Sequence, residues 1–326
     1  MTTLQYNPQS GRRGIEWCDA TMNPIGGCEH ACRWEMPNGT IAKCYAEELA
    51  ENGVAQAGYP QGFAHHYWRA NGLKEMKKAG PPQLVFIDSM SDMFGHWVPE
   101  EQIDQVLAAM AEGGHNTFQA LTKNPRRYLK VLDRLPGNLW CGASSAPDFF
   151  MGKRLTPAQQ ERYMTVALET LAAVRRQTGN VVWMSVEPLS WDVADLLAAH
   201  PALDWVIIGA ASNGPRYFQP DPQHVDRLLD VLDAQGVAVF YKGNIKKTFE
   251  LYDFGTDAKN RWREDFPARP IPARPGHDAV PGPAPAVARR QRRAASLGWT
   301  LNTFLPAEPE AEPVLPAAAP QQLALL

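Results

Sequence analysis

From about residue 84 onward, short and continuous apolar runs alternate with amphipathic stretches, and this rhythm limits the fold more than any other feature of the chain. The runs are Leu84–Ser89, Asn116–Thr122, Leu139–Ser144, Val181–Val186, Trp205–Gly209 and Val237–Tyr241. Each is apolar nearly throughout, as strands covered on both faces are. Between them lie helical patterns over Pro99–Glu112, Pro125–Arg134, Pro157–Gln177, Trp191–His200 and Pro222–Gln235. Several carry proline in the first turn, where its missing N–H does no harm. Repetition of this kind builds a parallel α/β sheet with right-handed crossovers. A further strand is expected near Gly14–Thr21, just ahead of a cysteine cluster. The total falls short of a complete eight-fold barrel and suits either a partial barrel or an open doubly wound sheet. No GxGxxG follows a strand and no GxxxxGK[ST] occurs, so the common nucleotide-phosphate loops are absent.

Hydrophobic residues form 44% of the 326 residues and aromatics 10%, enough to bury a full core. The 32 basic and 35 acidic side chains leave a formal charge of -3, which excludes coating nucleic acid by bulk charge while allowing a local basic track. No run approaches the roughly 18 apolar residues of a membrane helix. The N-terminus has no apolar stretch after its charges, so no signal peptide is expected and the default compartment is the cytoplasm. Composition divides the chain into an α/β domain over 1–266 and a flexible tail over 267–326. The tail holds twelve of the 28 prolines, many alanines and the basic cluster Arg289, Arg290, Arg292 and Arg293. Within it, Leu297–Leu305 is apolar enough to dock as a short element.

Four of the five cysteines, Cys18, Cys28, Cys32 and Cys44, crowd together, and Cys141 stands alone. In a reducing compartment such crowding points to metal rather than disulfides. Cys28 and Cys32 are separated by three residues and Cys32 and Cys44 by eleven, with Cys44 immediately before a helix start, YAEELAEN. Three thiolates on one loop suit three irons of a [4Fe–4S] cluster, with the fourth iron open to a chelating ligand. Structural zinc, with Cys18 or His30 as fourth ligand, is the rival, although no second tight cysteine pair exists. On spacing alone both remain open, and the zinc reading makes the chain a nucleic-acid-binding module without catalysis.

Several ordered motifs resemble a phage-associated family of radical-SAM-like proteins with a three-cysteine motif. NPIGGC (Asn23–Cys28) and CYAE (Cys44–Glu47) flank the cluster. DSMSDMF (Asp88–Phe94) resembles the family's NSMSDLF, and TKNPR (Thr122–Arg126) its TKRP turn. SVEPL (Ser185–Leu189), WVIIGAAS (Trp205–Ser212) and Phe240–Lys242 complete the series. The resemblance runs from about Trp17 to Lys242 and omits the tail. Two departures stand out. Family members place the long gap before the second cysteine, whereas here an apparent insertion, Arg33–Lys43, precedes the third. WVIIGAAS also lacks the family's glutamate.

The resemblance implies a partial (βα)6-type TIM barrel of the radical SAM kind. It further implies a [4Fe–4S] cluster on Cys28, Cys32 and Cys44, with S-adenosylmethionine chelating the open iron. An external electron donor would drive reductive cleavage to methionine and a 5′-deoxyadenosyl radical. Functional groups of such barrels gather at strand C-termini. There Ser89, Ser91 and Asp92 suit the cofactor's ammonium, and Ser144, with Ser145 beside it, the ribose or methionine. Glu187 suits the ribose or substrate, and Lys123 and Arg126 a substrate carboxylate or phosphate. Lys242 suits a substrate anchor or base, and Cys141, within a strand, a hydrogen-atom donor. The implied substrate is a modified thymidine in phage DNA, rearranged or modified after leaving the base stack, in the host cytoplasm. Radical-SAM nucleic-acid repair or tRNA modification is the alternative.

Overall fold

The computed structural model describes residues 7–8, 15–36, 39–53, 55–78, 80, 82–211, 219–245 and 263–267. Seven parallel strands form the main sheet: β1 (Ala20–Met22), β2 (Leu84–Ile87), β3 (Thr117–Thr122), β4 (Leu139–Ser144), β5 (Val182–Val186), β6 (Trp205–Ile208) and β7 (Ala238–Tyr241). Their spatial order follows the chain order without reversal. Short antiparallel pieces cover both edges. Asn7–Pro8 pairs with β1, and Glu264 bridges Phe240 on β7.

The five main helices are α1 (Tyr45–Asn52), α2 (Glu100–Glu112), α3 (Pro157–Thr178), α4 (Ala194–Ala199) and α5 (Pro222–Ala234). Helix α3 opens on a reciprocal cap between Thr156 and Gln159 and closes on Gly179 at φ 71°, the left-handed position that glycine fills without strain. Pro125–Arg134 departs from expectation. It winds as two 3₁₀ segments, Pro125–Lys130 and Leu132–Arg134.

Which face each strand residue uses decides between a barrel and a doubly wound sheet. Val85, Ile87, Phe118, Cys141, Met184 and Val206 pack against side chains of α2 to α5 in one cluster. The alternate residues Phe86, Trp140, Trp183, Trp205, Ile207 and Phe240 form a second cluster with Trp17 and Phe266 but without those helices. Helices therefore cover one face only, and the parallel sheet curls into a half-barrel around an aromatic floor. Gly142 makes room for that floor, since an added Cβ would lie 2.3 Å from the Trp183 ring.

Two small antiparallel arrangements sit beside the strand ends. Ile25–Gly26 pairs with Tyr67–Trp68. The stretch between Cys32 and Cys44 is a hairpin, Arg33–Glu35 against Ile41–Lys43, joined to a second hairpin of Phe149–Phe150 and Lys153–Arg154. Apart from Pro267, the expected tail over 267–326, including Arg289–Arg293 and Leu297–Leu305, lies outside the described residues.

Candidate functional site

The cysteine loop lies over the C-terminal ends of β1 and β2. Gly27 forms a parallel bridge with Ser91, and its amide donates to Met90 O at 3.3 Å. Its φ is +85°, and an added Cβ would stand 1.8 Å from His65 O, so only glycine fits this entry. Cys28 N donates to Phe63 O at 2.8 Å. Cys28 and Cys44 then pack, half-buried, against Ala46, Ala50, Tyr59 and Phe63.

The hairpin changes the meaning of the eleven-residue gap. Its register pairs Arg33 with Lys43, so Cys32 and Cys44, one residue outside that pair, flank the hairpin's open end. Arg33 fastens this end to α1 through two bonds of 2.6 Å to Glu47, and its Nη1 also donates to Cys32 O at 2.8 Å. Lys43 adds a 3.0 Å contact with Glu51.

Burial pushes the Cys28 thiol well above its usual range, and the neighbouring Asp92, Cys32 and Cys44 push it further. Burial likewise raises Cys32 to about 12, with Lys123 opposing the shift and Cys44 adding to it. The three sulfurs are thus electrostatic neighbours in a poorly solvated loop, where binding to a cation is what favours the thiolate. Among the described residues no three His, Cys, Asp or Glu groups converge on a point that one metal ion could occupy. Tetrahedral zinc requires such convergence. A cubane does not, because each thiolate meets its own iron. Of the expected fourth zinc ligands, Cys18 lies within the aromatic floor, and His30 has its Nε2 on Asp92. In kind, three thiols on one loop are donors that an iron–sulfur cluster takes.

The remaining expected residues divide. Ser89 Oγ donates to Asn23 Oδ1 at 3.1 Å and Ser91 Oγ to Ile25 O at 2.8 Å, so both hydroxyls brace the base of the cysteine loop. Asp92 requires correction. Its Oδ2 accepts from His30 Nε2, Thr122 Oγ1 and Lys123 N, and its Oδ1 from Phe94 N, so this buried carboxylate is committed to the protein's own donors. Lys123 stands beside the cysteine loop, with its Nζ 5.9 Å from the Trp34 ring, whereas Arg126 is exposed on the 3₁₀ turn. Ser144 neighbours Ser185 one layer above the floor. Next comes Glu187, paired with Lys242 and approached by Asn244 Nδ2 at 3.5 Å. Gly209 admits Glu187, since an added Cβ would lie 2.9 Å from its Cγ.

Cys141 also requires correction. Strand alternation turns it to the helix-facing side, fully buried, where desolvation raises its thiol. It faces away from the mouth in which a hydrogen donor would work. Two residues missed in the sequence belong to that mouth. Tyr45, with much of its ring exposed, donates its hydroxyl to Ser89 O near Cys44 and Glu187. Its position directly after Cys44 was the available signal. Glu16 accepts from Gly243 N, a contact across most of the chain that no local pattern announces.

No curated protein matches the chain. Among solved structures, spore photoproduct lyase complexed with dinucleoside spore photoproduct is similar at TM-score 0.49 and 11% identity, over 74% of this chain and 80% of that one. A radical SAM methyltransferase from Sphaerobacter thermophilus gives 0.41 and 16%, over 70% and 67%. The HMG-CoA lyase from Brucella melitensis gives 0.35 and 14%, over 67% and 79%. Likeness at these scores does not distinguish one chemistry from another. The family described as "Protein of unknown function (DUF5131)" matches residues 12–264, and the chain belongs to that family.

Proposed function

We propose that this chain is a radical S-adenosylmethionine enzyme whose [4Fe–4S] cluster is held by Cys28, Cys32 and Cys44. The observation that supports the reading is the hairpin, whose open end is flanked by Cys32 and Cys44, both near enough to Cys28 to raise its thiol. When bound, the cluster would supply the electron that cleaves S-adenosylmethionine to a hydrogen-abstracting radical. The chain's own part is to orient and enclose. The aromatic floor closes the bottom of the mouth to water. Ser144 and the Glu187–Lys242 pair provide hydroxyl, carboxylate and ammonium groups above it. Glu187 is assigned to ribose or substrate hydroxyls, and Lys242 and Lys123 to substrate anions. Cys141 and Asp92 have no place in this assignment. The substrate we assign is a modified thymidine in DNA, on the strength of the ordered motifs from Asn23 to Lys242.

The test is anaerobic reconstitution followed by iron and sulfide analysis and electron paramagnetic resonance of the reduced protein. About four irons per chain, and a spectrum that changes with S-adenosylmethionine, are expected. Zinc without iron, or a cluster indifferent to S-adenosylmethionine, would overturn the reading. For the substrate, 5′-deoxyadenosine formation should rise with DNA carrying the modified base and not with tRNA; the reverse preference would replace DNA by RNA.

A further inference from the structure

The segment Cys28-Glu29-His30-Ala31-Cys32 has an unusual interior. Ala31 sits at φ 49°, in the left-handed region that residues other than glycine rarely adopt. Strained backbone of this kind persists only where the surroundings over-determine it. The side chain that does so is His30, only 3% exposed. Its ring stacks on Phe150 at 4.9 Å and meets Trp97 edge-on at 4.8 Å. Its Nε2 lies 2.8 Å from Asp92 Oδ2, and its backbone oxygen accepts from Met151 N at 2.7 Å. Its Nδ1 is buried with no partner among the described residues, so Asp92 is the polar anchor of the ring.

Asp92 in turn draws donors from three separate places. His30 comes from the cysteine loop and Phe94 N, at 2.9 Å, from the turn after β2. Thr122 Oγ1 at 2.9 Å and Lys123 N at 2.8 Å come from the end of β3. One buried carboxylate therefore ties the loop between two cysteines to two strand ends of the half-barrel.

We infer that Asp92, acting through His30, is a positioning residue that holds the Cys28–Cys32 loop in its ligating shape before any cluster arrives. The clasp deepens the radical S-adenosylmethionine reading and rests on it for the identity of the cluster. A ligand loop shaped beforehand loses little conformational freedom on metal binding, and partners that orient ligands are typically worth about 10- to 100-fold in metal affinity.

The test compares full-length wild type with His30→Ala, Asp92→Asn and His30→Gln, the last retaining a side-chain amide donor. Two quantities are read: iron retention against a ferrous chelator after anaerobic reconstitution, and hydrogen exchange at the Cys28 and Met151 amides of the cluster-free protein. His30→Ala and Asp92→Asn should lose iron about 10- to 100-fold faster. Their two amides should exchange about tenfold faster, while amides of β4 and β5 stay protected. His30→Gln should restore much of both. Unchanged retention and exchange in His30→Ala would overturn the clasp, as would loss of protection throughout the sheet in both His30→Ala and His30→Gln. If wild type takes up no iron, the cluster reading fails by itself, and the amide exchange still decides the clasp.

Discussion

At Gly27 a single methyl group would collide with the His65 carbonyl oxygen on a backbone that L side chains rarely adopt. Gly27→Ala should therefore cost about 3 kcal/mol and lower iron content, as thermal unfolding and metal analysis of the variant will show. The cysteines separate by location. Cys28→Ala, Cys32→Ala and Cys44→Ala should each abolish S-adenosylmethionine cleavage, measured as 5′-deoxyadenosine. Cys141→Ala should preserve it, because that thiol lies behind the sheet among helix side chains. Loss of cleavage in Cys141→Ala alone would contradict its outward placement. That Cys28, Cys32 and Cys44 share one loop was legible in the sequence; the side on which Cys141 lies was not. A buried parallel strand is apolar on both faces, so its sequence carries no marker of which face is which. Asp92 misled for another reason: its donors His30, Thr122 and Lys123 lie 62, 30 and 31 positions away, and only folding brings them together.

Elements were more legible than side-chain roles. Leu139–Ser144 appears as anticipated, and the other five apolar runs differ from their strands by one or two end residues. Continuous hydrophobicity bounded by polar turns is a local signal, and the strands obey it. The hairpin between Cys32 and Cys44 leaves no mark in the sequence, because its strands are three residues each, too short for a two-residue alternation to register. Its geometry makes a direct prediction. Replacing Trp34–Ala42 by a two-residue turn should leave about four irons per reconstituted chain, because Arg33 and Lys43 are already paired. Loss of iron from that variant would mean that the hairpin does more than close the gap. Glu47 should remain unchanged in the shortened protein, since its bidentate contact with Arg33 fixes the ends.

Across the whole molecule, the half-barrel is finished by a segment that follows its last strand and turns back along it. Arg263–Pro267 lies along β7, with Tyr241 N donating to Arg263 O at 2.8 Å and Asp265 N to Val239 O at 2.9 Å. Phe266 enters the aromatic floor 5.2 Å from Trp205. Burial raises the Asp265 carboxyl from 3.8 to about 6, against the opposing pull of Arg263. A carboxyl raised on folding binds its proton more tightly in the folded chain. Its stabilising contribution is complete below pH 4 and lost as pH rises through about 6. Lowering the pH from 7 to 4.5 should therefore raise the urea midpoint of wild type relative to that of Asp265→Asn, and an equal pH response in the two would refute the assignment. The floor that this segment completes has an optical consequence. Trp17, Trp183 and Trp205 lie within 6.0 Å of one another, and Trp140 lies 5.6 Å from Trp205, all at steep mutual tilts. Indoles so close and so fixed couple their transitions, and the near-ultraviolet circular dichroism of this protein is a built-in gauge of whether the half-barrel is closed.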